Sequence, residues 1–321
     1  MTKTILIIDG DVLAFRCAAA NETRSIRVTN KLTGQVTGHA HRTAFKEHIK
    51  GTFELDEFDI EDVQTCEDIS HAYHALKTCV DAWMKSCDAD GYEVYLSGHD
   101  NFRDSLPLPS KYKGSRSGSI KPVQLAACRE YLVSKYDAEI IHGMEVDDKL
   151  AYRCYEGLQQ KVKTVAVTID GDQNGVAGWM YNWTKQREPK LVNGFGYIEL
   201  TKENKDFDGY GRKFYYAQWV LGDSVDCFKP CELAGKKFGV VAMYNLLKDC
   251  KTDKGCVEAV YGQYKKWYPT PVTYIAWDGT EHTKDAIALM DLYAACAHMK
   301  RFDGDVFDTK KLLMTLGVNY E

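Results

Sequence analysis

Several familiar signatures are missing from this chain, and each absence narrows what it can be. No apolar run approaches the length of a membrane span. The run after Lys3 is only four residues long and ends in Asp9, which predicts no secretory signal. Eleven cysteines are present, but they are scattered. Cys227-x3-Cys231 and Cys250-x5-Cys256 have neither zinc-finger spacing nor nearby histidines. An odd, irregular set of this kind predicts free thiols in a reducing cytoplasm rather than a disulfide framework. Positive charge is not in excess either: the formal net charge is −5, which excludes coating nucleic acid by bulk charge but leaves room for a local basic groove. There is no internal repeat and no low-complexity tract. What remains is a globular composition, 45% hydrophobic and 27% charged over 321 residues, enough for one large domain or two ordinary ones.

Thr4–Arg16, TILIIDGDVLAFR, organises the rest. Ile5–Ile8 reads as a strand buried on both faces at the centre of a parallel sheet, followed at Asp9-Gly10-Asp11 by a helix. Ser25–Val28 and Gln35–Thr37 then predict a polar hairpin, 40–50 a helix closed by Gly51, and 53–63 an edge strand or loop. An amphipathic helix is expected over 67–86 and a second strand over 92–96. Asn101–Pro122 is irregular, with Arg103, Lys111, Lys113, Arg116 and Lys121 around Tyr112, a composition suited to phosphates and a stacked base. Pro122 suits the start of a helix to about 135.

Beyond a short strand at 138–141, Glu145-Val-Asp147-Asp148 opens a helix. Acids favour a first helical turn, but three carboxylates in four residues exceed what capping needs. A buried strand over 163–169 ends in Asp170-Gly-Asp172, repeating the Asp-Gly-Asp of the first strand. Val176–Trp183, Leu191–Leu200 and Phe214–Tyr216 suggest an antiparallel meander. Asp223 and Asp226 follow around a glycine turn, and the final third reads as mostly helical, including 240–247 and 284–300.

Asp9, Asp11, Glu145, Asp147, Asp148, Asp170, Asp172, Asp223 and Asp226 thus come from four segments, three of them placed after parallel strands. If they converge, their mutual repulsion demands cations, and hard oxygen donors select Mg²⁺ or Mn²⁺. Two such ions about 4 Å apart suit phosphodiester hydrolysis. The ordered set IDGD, NFR…YKGSR, EVDD, IDGD, LGDSVD and a Gly-Lys-Lys helix entry resembles the 5′-nuclease superfamily of phage 5′→3′ exonucleases and flap endonucleases over roughly residues 4–245.

That resemblance implies an α/β fold with a mostly parallel central sheet flanked by helices, PIN-like, with a basic arch at about 101–135. It implies a catalytic domain over 1–217 and a C-terminal helix–three-turn–helix region over 218–321. It makes Asp9, Glu145, Asp147, Asp148, Asp170, Asp172, Asp223 and Asp226 metal ligands, with Asp11 a second-rank candidate. Lys113 and Arg116 would act on the scissile phosphate, while Arg16, Tyr112, Gly235 and Lys237 would bind DNA. Two Mg²⁺ ions, replaceable by Mn²⁺, and a potassium ion in the 223–247 segment are the implied cofactors. The implied substrate is DNA with a 5′ end, flap or nick, or an RNA:DNA hybrid, cut during phage replication or primer removal by a cytoplasmic monomer.

The sequence departs from the family pattern in three places. Gly98 occupies the position of the usual acid at the end of the second strand, with Asp100 nearby. Cys227 stands where an Asn is common, and the glycine hairpin lacks its second glycine. Two other readings compete. In a haloacid-dehalogenase-type phosphatase, Asp9 would be nucleophile and Asp11 general acid. A non-catalytic module binding branched nucleic acid would leave the acids without a task, and unpaired clustered carboxylates cost stability.

Overall fold

The computed structural model describes residues 3–116 and 118–320. The chain divides into two compact units. The first comprises Met1–Gly10, Trp83–Ser119 and Ala138–Glu321, the second Asp11–Ala82 and Ile120–Asp137. No helix among the described residues is long and apolar enough to cross a membrane.

A six-stranded sheet forms the middle of the first unit. Thr4–Asp9 lies between Gly91–Asn101 and Lys163–Val167, parallel to both. Glu139–Gly143 extends the sheet in parallel beyond Gly91–Asn101. On the other side Gly178–Tyr181 is also parallel, and Lys190–Val192 closes the edge antiparallel. The α/β class and the mostly parallel sheet expected from the sequence are therefore present. The continuous apolar runs have the burial such strands require: Leu6, Ile7, Ile8, Val165 and Val167 are all inaccessible to solvent.

The helix Val146–Gln160 covers one face, setting Val146, Leu150 and Cys154 against Ile7, Tyr95, Ile141 and Ala166. A larger core joins the helices Arg212–Leu221, Val240–Leu247, Asp253–Trp267, Ala286–Ala297 and Thr309–Leu316 around Trp219, Tyr264 and Tyr293. Tyr264 donates its hydroxyl proton to the Trp219 carbonyl, which removes the polar cost of burying that ring.

The expected meander is corrected. Phe214–Tyr216 belongs to the helix Arg212–Leu221, not to a strand. That helix is buried on several faces at once (Phe214, Tyr216, Ala217, Trp219 and Val220), so its apolar pattern carries no clear period. Tyr197–Leu200 pairs instead with Phe207–Tyr210. The C-terminal third also contains a hairpin, Val272–Ile275 with Glu281–Lys284, which the helical reading omitted.

In the second unit, Glu22–Asn30 pairs antiparallel with Val36–His39 on one side and with Phe58–Cys66 on the other. The helix Arg42–Ile49 packs Phe45 and Ile49 on Ile26 and Val28. The helices Gly10–Ala20 and Leu125–Tyr136 also lie in this unit, apart from the Gly10 that opens the first.

Candidate metal centre

Parallel strands send their carboxyl ends to one edge, and that edge collects the acids. Asp9 is the last residue of its strand, Glu145 follows Glu139–Gly143 by two residues, and Asp170 follows Lys163–Val167 by three. Gly10 makes the first placement possible. A Cβ there would lie 2.6 Å from the Tyr95 carbonyl oxygen and 2.9 Å from Leu96, so any side chain would push the two strands apart.

Asp9 is buried and receives the Thr168 hydroxyl at 3.2 Å. The same Thr168 oxygen accepts the Asp170 amide, which ties the two strand ends together. Asp170 in turn accepts the Asp172 amide at 2.9 Å. Asp223 accepts the amides of Val225 and Asp226, a local turn that aims Asp226 inward. Asp172, Asp223 and Asp226 each offer a carboxylate oxygen within 4.8 Å of the others.

Electrostatics mark the cluster as one site. Burial, then Asp170, Asp9 and Glu145, push the Asp147 carboxyl well above its ordinary range. Burial and the charges of Asp226 and Asp223 raise Asp170. Asp172 is pushed up to about 7, by burial first and then by Asp170, Asp223 and Asp226. Asp147 Oδ1 is buried with no hydrogen-bond partner among the described residues. A buried acceptor facing other acids is one a cation would satisfy, and an all-carboxylate donor set suits a hard divalent ion.

Two cations and a phenol bind this cluster together. Lys113 Nζ contacts Glu145 Oε1 and lies 3.8 Å from Asp226 Oδ2. Arg116 donates to Asp226 Oδ1 at 2.8 Å. The Tyr112 hydroxyl lies 2.7 Å from Asp226 Oδ2 and 3.1 Å from Glu145 Oε2. Their loop is laced to the acid turn through its backbone, since the Lys113 amide donates to the Asp226 carbonyl at 3.0 Å. The Ser115 amide meets Cys227 Sγ at 3.4 Å.

Three expectations change. Asp148 is fully buried, and each of its oxygens already takes two donors: Oδ2 from Arg103 and the Glu145 amide, Oδ1 from Arg103 and the Lys300 amide. Those four donors already fill its lone pairs. Tyr112 is buried against the aromatic core, so its ring does not face DNA; its hydroxyl spaces two carboxylates instead. Asp11 pairs with Arg129 within the second unit.

Other positions fall as follows. Arg16 is exposed on the helix Gly10–Ala20 of the second unit. Gly235 and Lys237 are exposed in the turn that enters the helix Val240–Leu247, with Gly235 at φ +61°. Gly98 has no room for an acid without a shift: a Cβ would sit 2.6 Å from the Ile141 carbonyl and 2.5 Å from the His142 ring. The bulge between Ser97 and Asn101 leaves Asp100 exposed at φ +65°.

Thr168 and Gln218 are residues at the cluster that pattern reading missed, while Arg103, expected among the phosphate-facing cations of the loop, is buried and paired with Asp148. Gln218 Nε2 donates to Asp172 Oδ1 at 2.5 Å. For Arg103 the signal was the NFR motif itself; for Thr168 and Gln218 no sequence cue distinguishes them from other buried polar side chains.

Fold and site together define an α/β protein with a carboxylate-rich centre at the carboxyl edge of a parallel sheet. No family model and no curated protein matches the chain. Among solved structures it is similar to 5′-nucleases, the superfamily that its motifs resemble. A bacteriophage T5 5′-exonuclease with bound divalent metal ions (zinc) shares 16% identity at a TM-score of 0.49, covering 92% of this chain and 89% of that one. A T5 flap endonuclease in a pseudo-enzyme-product complex with DNA and metal ions shares 16% identity at a TM-score of 0.45, covering 98% and 100%. At these levels neither identity nor superposition defines a family.

Proposed function

We propose that this chain is a divalent-cation-dependent nuclease that hydrolyses phosphodiesters at DNA 5′ ends, flaps or nicks. The observation that carries the reading is the convergence of Asp9, Glu145, Asp147, Asp170, Asp172, Asp223 and Asp226, with Lys113 and Arg116 of one loop reaching Glu145 and Asp226. Asp172, Asp223 and Asp226 would hold one Mg²⁺ or Mn²⁺, and Asp9, Glu145, Asp147 and Asp170 a second. When bound, such ions lower the pKa of water and neutralise phosphate oxygens.

The chain's own residues do the rest. Lys113 and Arg116, now against Glu145 and Asp226, would turn to the scissile phosphate and stabilise its developing charge. Arg116 can do so through two parallel N–H groups, Lys113 as a point charge. Tyr112 keeps Glu145 and Asp226 in register, Thr168 and Gln218 fix Asp9 and Asp172, and Arg103 holds the Glu145 turn through Asp148. Arg16, Gly235 and Lys237 would meet phosphates of the duplex, the last two in a turn where a potassium ion could sit among backbone carbonyls. Primer or flap removal during phage-type replication, by a cytoplasmic monomer, suits this chemistry.

Cleavage of 5′-labelled flap, nicked and blunt duplexes, with Mg²⁺, Mn²⁺ and EDTA, tests the reading. Cleavage is expected only with divalent ions, and Asp170→Asn should abolish it. Equal cleavage in EDTA, or full activity of the variant, would exclude the proposal.

A further inference from the structure

We propose that Trp277 and Lys111 form a stacking platform for an unpaired base of the strand whose phosphates meet Lys113 and Arg116; this rests on the nuclease reading above. The platform begins with the hairpin Val272–Ile275/Glu281–Lys284. Its tip is a tight turn, closed by the Gly279 amide on the Ala276 carbonyl and by Asp278, which accepts both the amide and the hydroxyl of Thr280.

That tip is fastened to the stretch just before the basic loop through three consecutive carbonyls. The Trp277 indole donates to Leu106 at 3.2 Å, the Tyr274 hydroxyl to Pro107 at 2.6 Å and the Trp277 amide to Leu108 at 2.9 Å. With both its N–H groups anchored, the indole cannot rotate away. Yet it is 38% exposed, whereas Trp83, Trp219 and Trp267 are buried. Lys111 Nζ stands over the ring, 5.1 Å from its centroid, so a base would take the opposite face.

An aromatic face held rigidly in water beside an ammonium is the pairing that single-strand binders use. The ring accepts any base and the cation its phosphate, and fixing the ring beforehand removes most of the ordering cost. Placement follows from the chain: Lys111 is two residues before Lys113, so their Cα atoms are at most about 7 Å apart. A base on Trp277 would therefore lie close along the strand to the phosphate held by Lys113.

Binding to a 5′-flap duplex and to a nicked duplex without a tail, measured by fluorescence anisotropy in EDTA, separates the platform from a merely structural pin. Trp277→Ala should bind the flap about tenfold more weakly and the nicked duplex unchanged, while Trp277→Phe should stay near wild type. Lys111→Ala should show the same selectivity, more weakly. In the wild-type protein, 2-aminopurine in the tail should be quenched on binding at one position, a readout that needs no variant. Equal losses on both duplexes, unchanged flap affinity in Trp277→Ala, or no quenching at any tail position would overturn the platform and leave the nuclease reading standing. Failure of the wild-type protein to bind either DNA would instead bring down the nuclease reading itself.

Discussion

Arg103 and Asp148 form a forked ion pair closed to solvent, with guanidinium nitrogens 2.6 and 3.0 Å from the two carboxylate oxygens. Two further Arg103 donors reach the carbonyls of Cys296 and His298, and Nη1 also lies 3.6 Å from Glu145 Oε2. One buried pair thus joins the start of the helix Val146–Gln160 to the segment after Ala286–Ala297. One residue earlier, Asp147 Oδ1 is buried with no hydrogen-bond partner among the described residues. Adjacent aspartates therefore face opposite electrostatic demands.

The first prediction uses that contrast. In metal-free protein, Asp148→Asn and Arg103→Ala should destabilise by about 3–5 kcal/mol, because each leaves a buried charge uncompensated. Asp147→Asn should stabilise, since it removes a charge that burial and three neighbouring acids oppose. Thermal melts in EDTA would show it; shifts of the same sign in Asp147→Asn and Asp148→Asn would contradict the assignment.

Lys113 contacts Glu145 and lies within ion-pair reach of Asp226, and it is held at φ +52°, in the left-handed region that side chains seldom occupy. Lys113→Ala should slow flap cleavage at saturating DNA by about 10²–10³-fold, the range for losing one preorganised charge-stabilising group, with a modest rise in Kd. Single-turnover rates decide it, and unaltered turnover would remove Lys113 from the chemistry.

Acidity supplies a third test. Burial and the neighbouring acids push Asp172 up to about 7 in the folded protein, against 3.8 for the free side chain. The folded state therefore binds this proton more tightly than the unfolded state. Its contribution is full below about pH 3.8 and disappears as pH rises through about 7. In EDTA, the stability difference between wild type and Asp172→Asn should turn against wild type across that window. Mg²⁺ or Mn²⁺ should raise the wild-type Tm more at pH 7.5 than at pH 5, because protons compete for the same oxygens. A difference that is flat with pH would be the contrary result.

Gly98 gives the fourth. Introducing the absent acid as Gly98→Asp should cost stability rather than tighten metal binding, by about 1–3 kcal/mol as for other overpacked sites. His142→Ala should not rescue it, because the Ile141 carbonyl oxygen, which is backbone and cannot swing aside, would still be 2.6 Å from the new Cβ. Denaturant melts of the single and double variants check this.

The sequence alone determined the sheet and the positions of its acids. A strand such as Ile5–Ile8, apolar on both faces, has few places to go but the middle of a parallel sheet, and the acids following such strands must share its carboxyl edge. Roles within the cluster were decided by contacts distant in sequence. Whether Asp148 faces a metal or Arg103, 45 residues away, cannot be read from a four-residue motif. Tyr112 looked like a surface aromatic among lysines, but the folded chain takes it into the larger hydrophobic core. The hairpin at 272–284 was hidden for a related reason: strands of four residues are too short to show a period, and they are held by partners such as the carbonyls of 106–108 that only the folded chain brings near. Local pattern fixes what a segment can be. Which donors reach a buried carboxylate, and therefore whether it is left for a cation, is set by the whole tertiary arrangement.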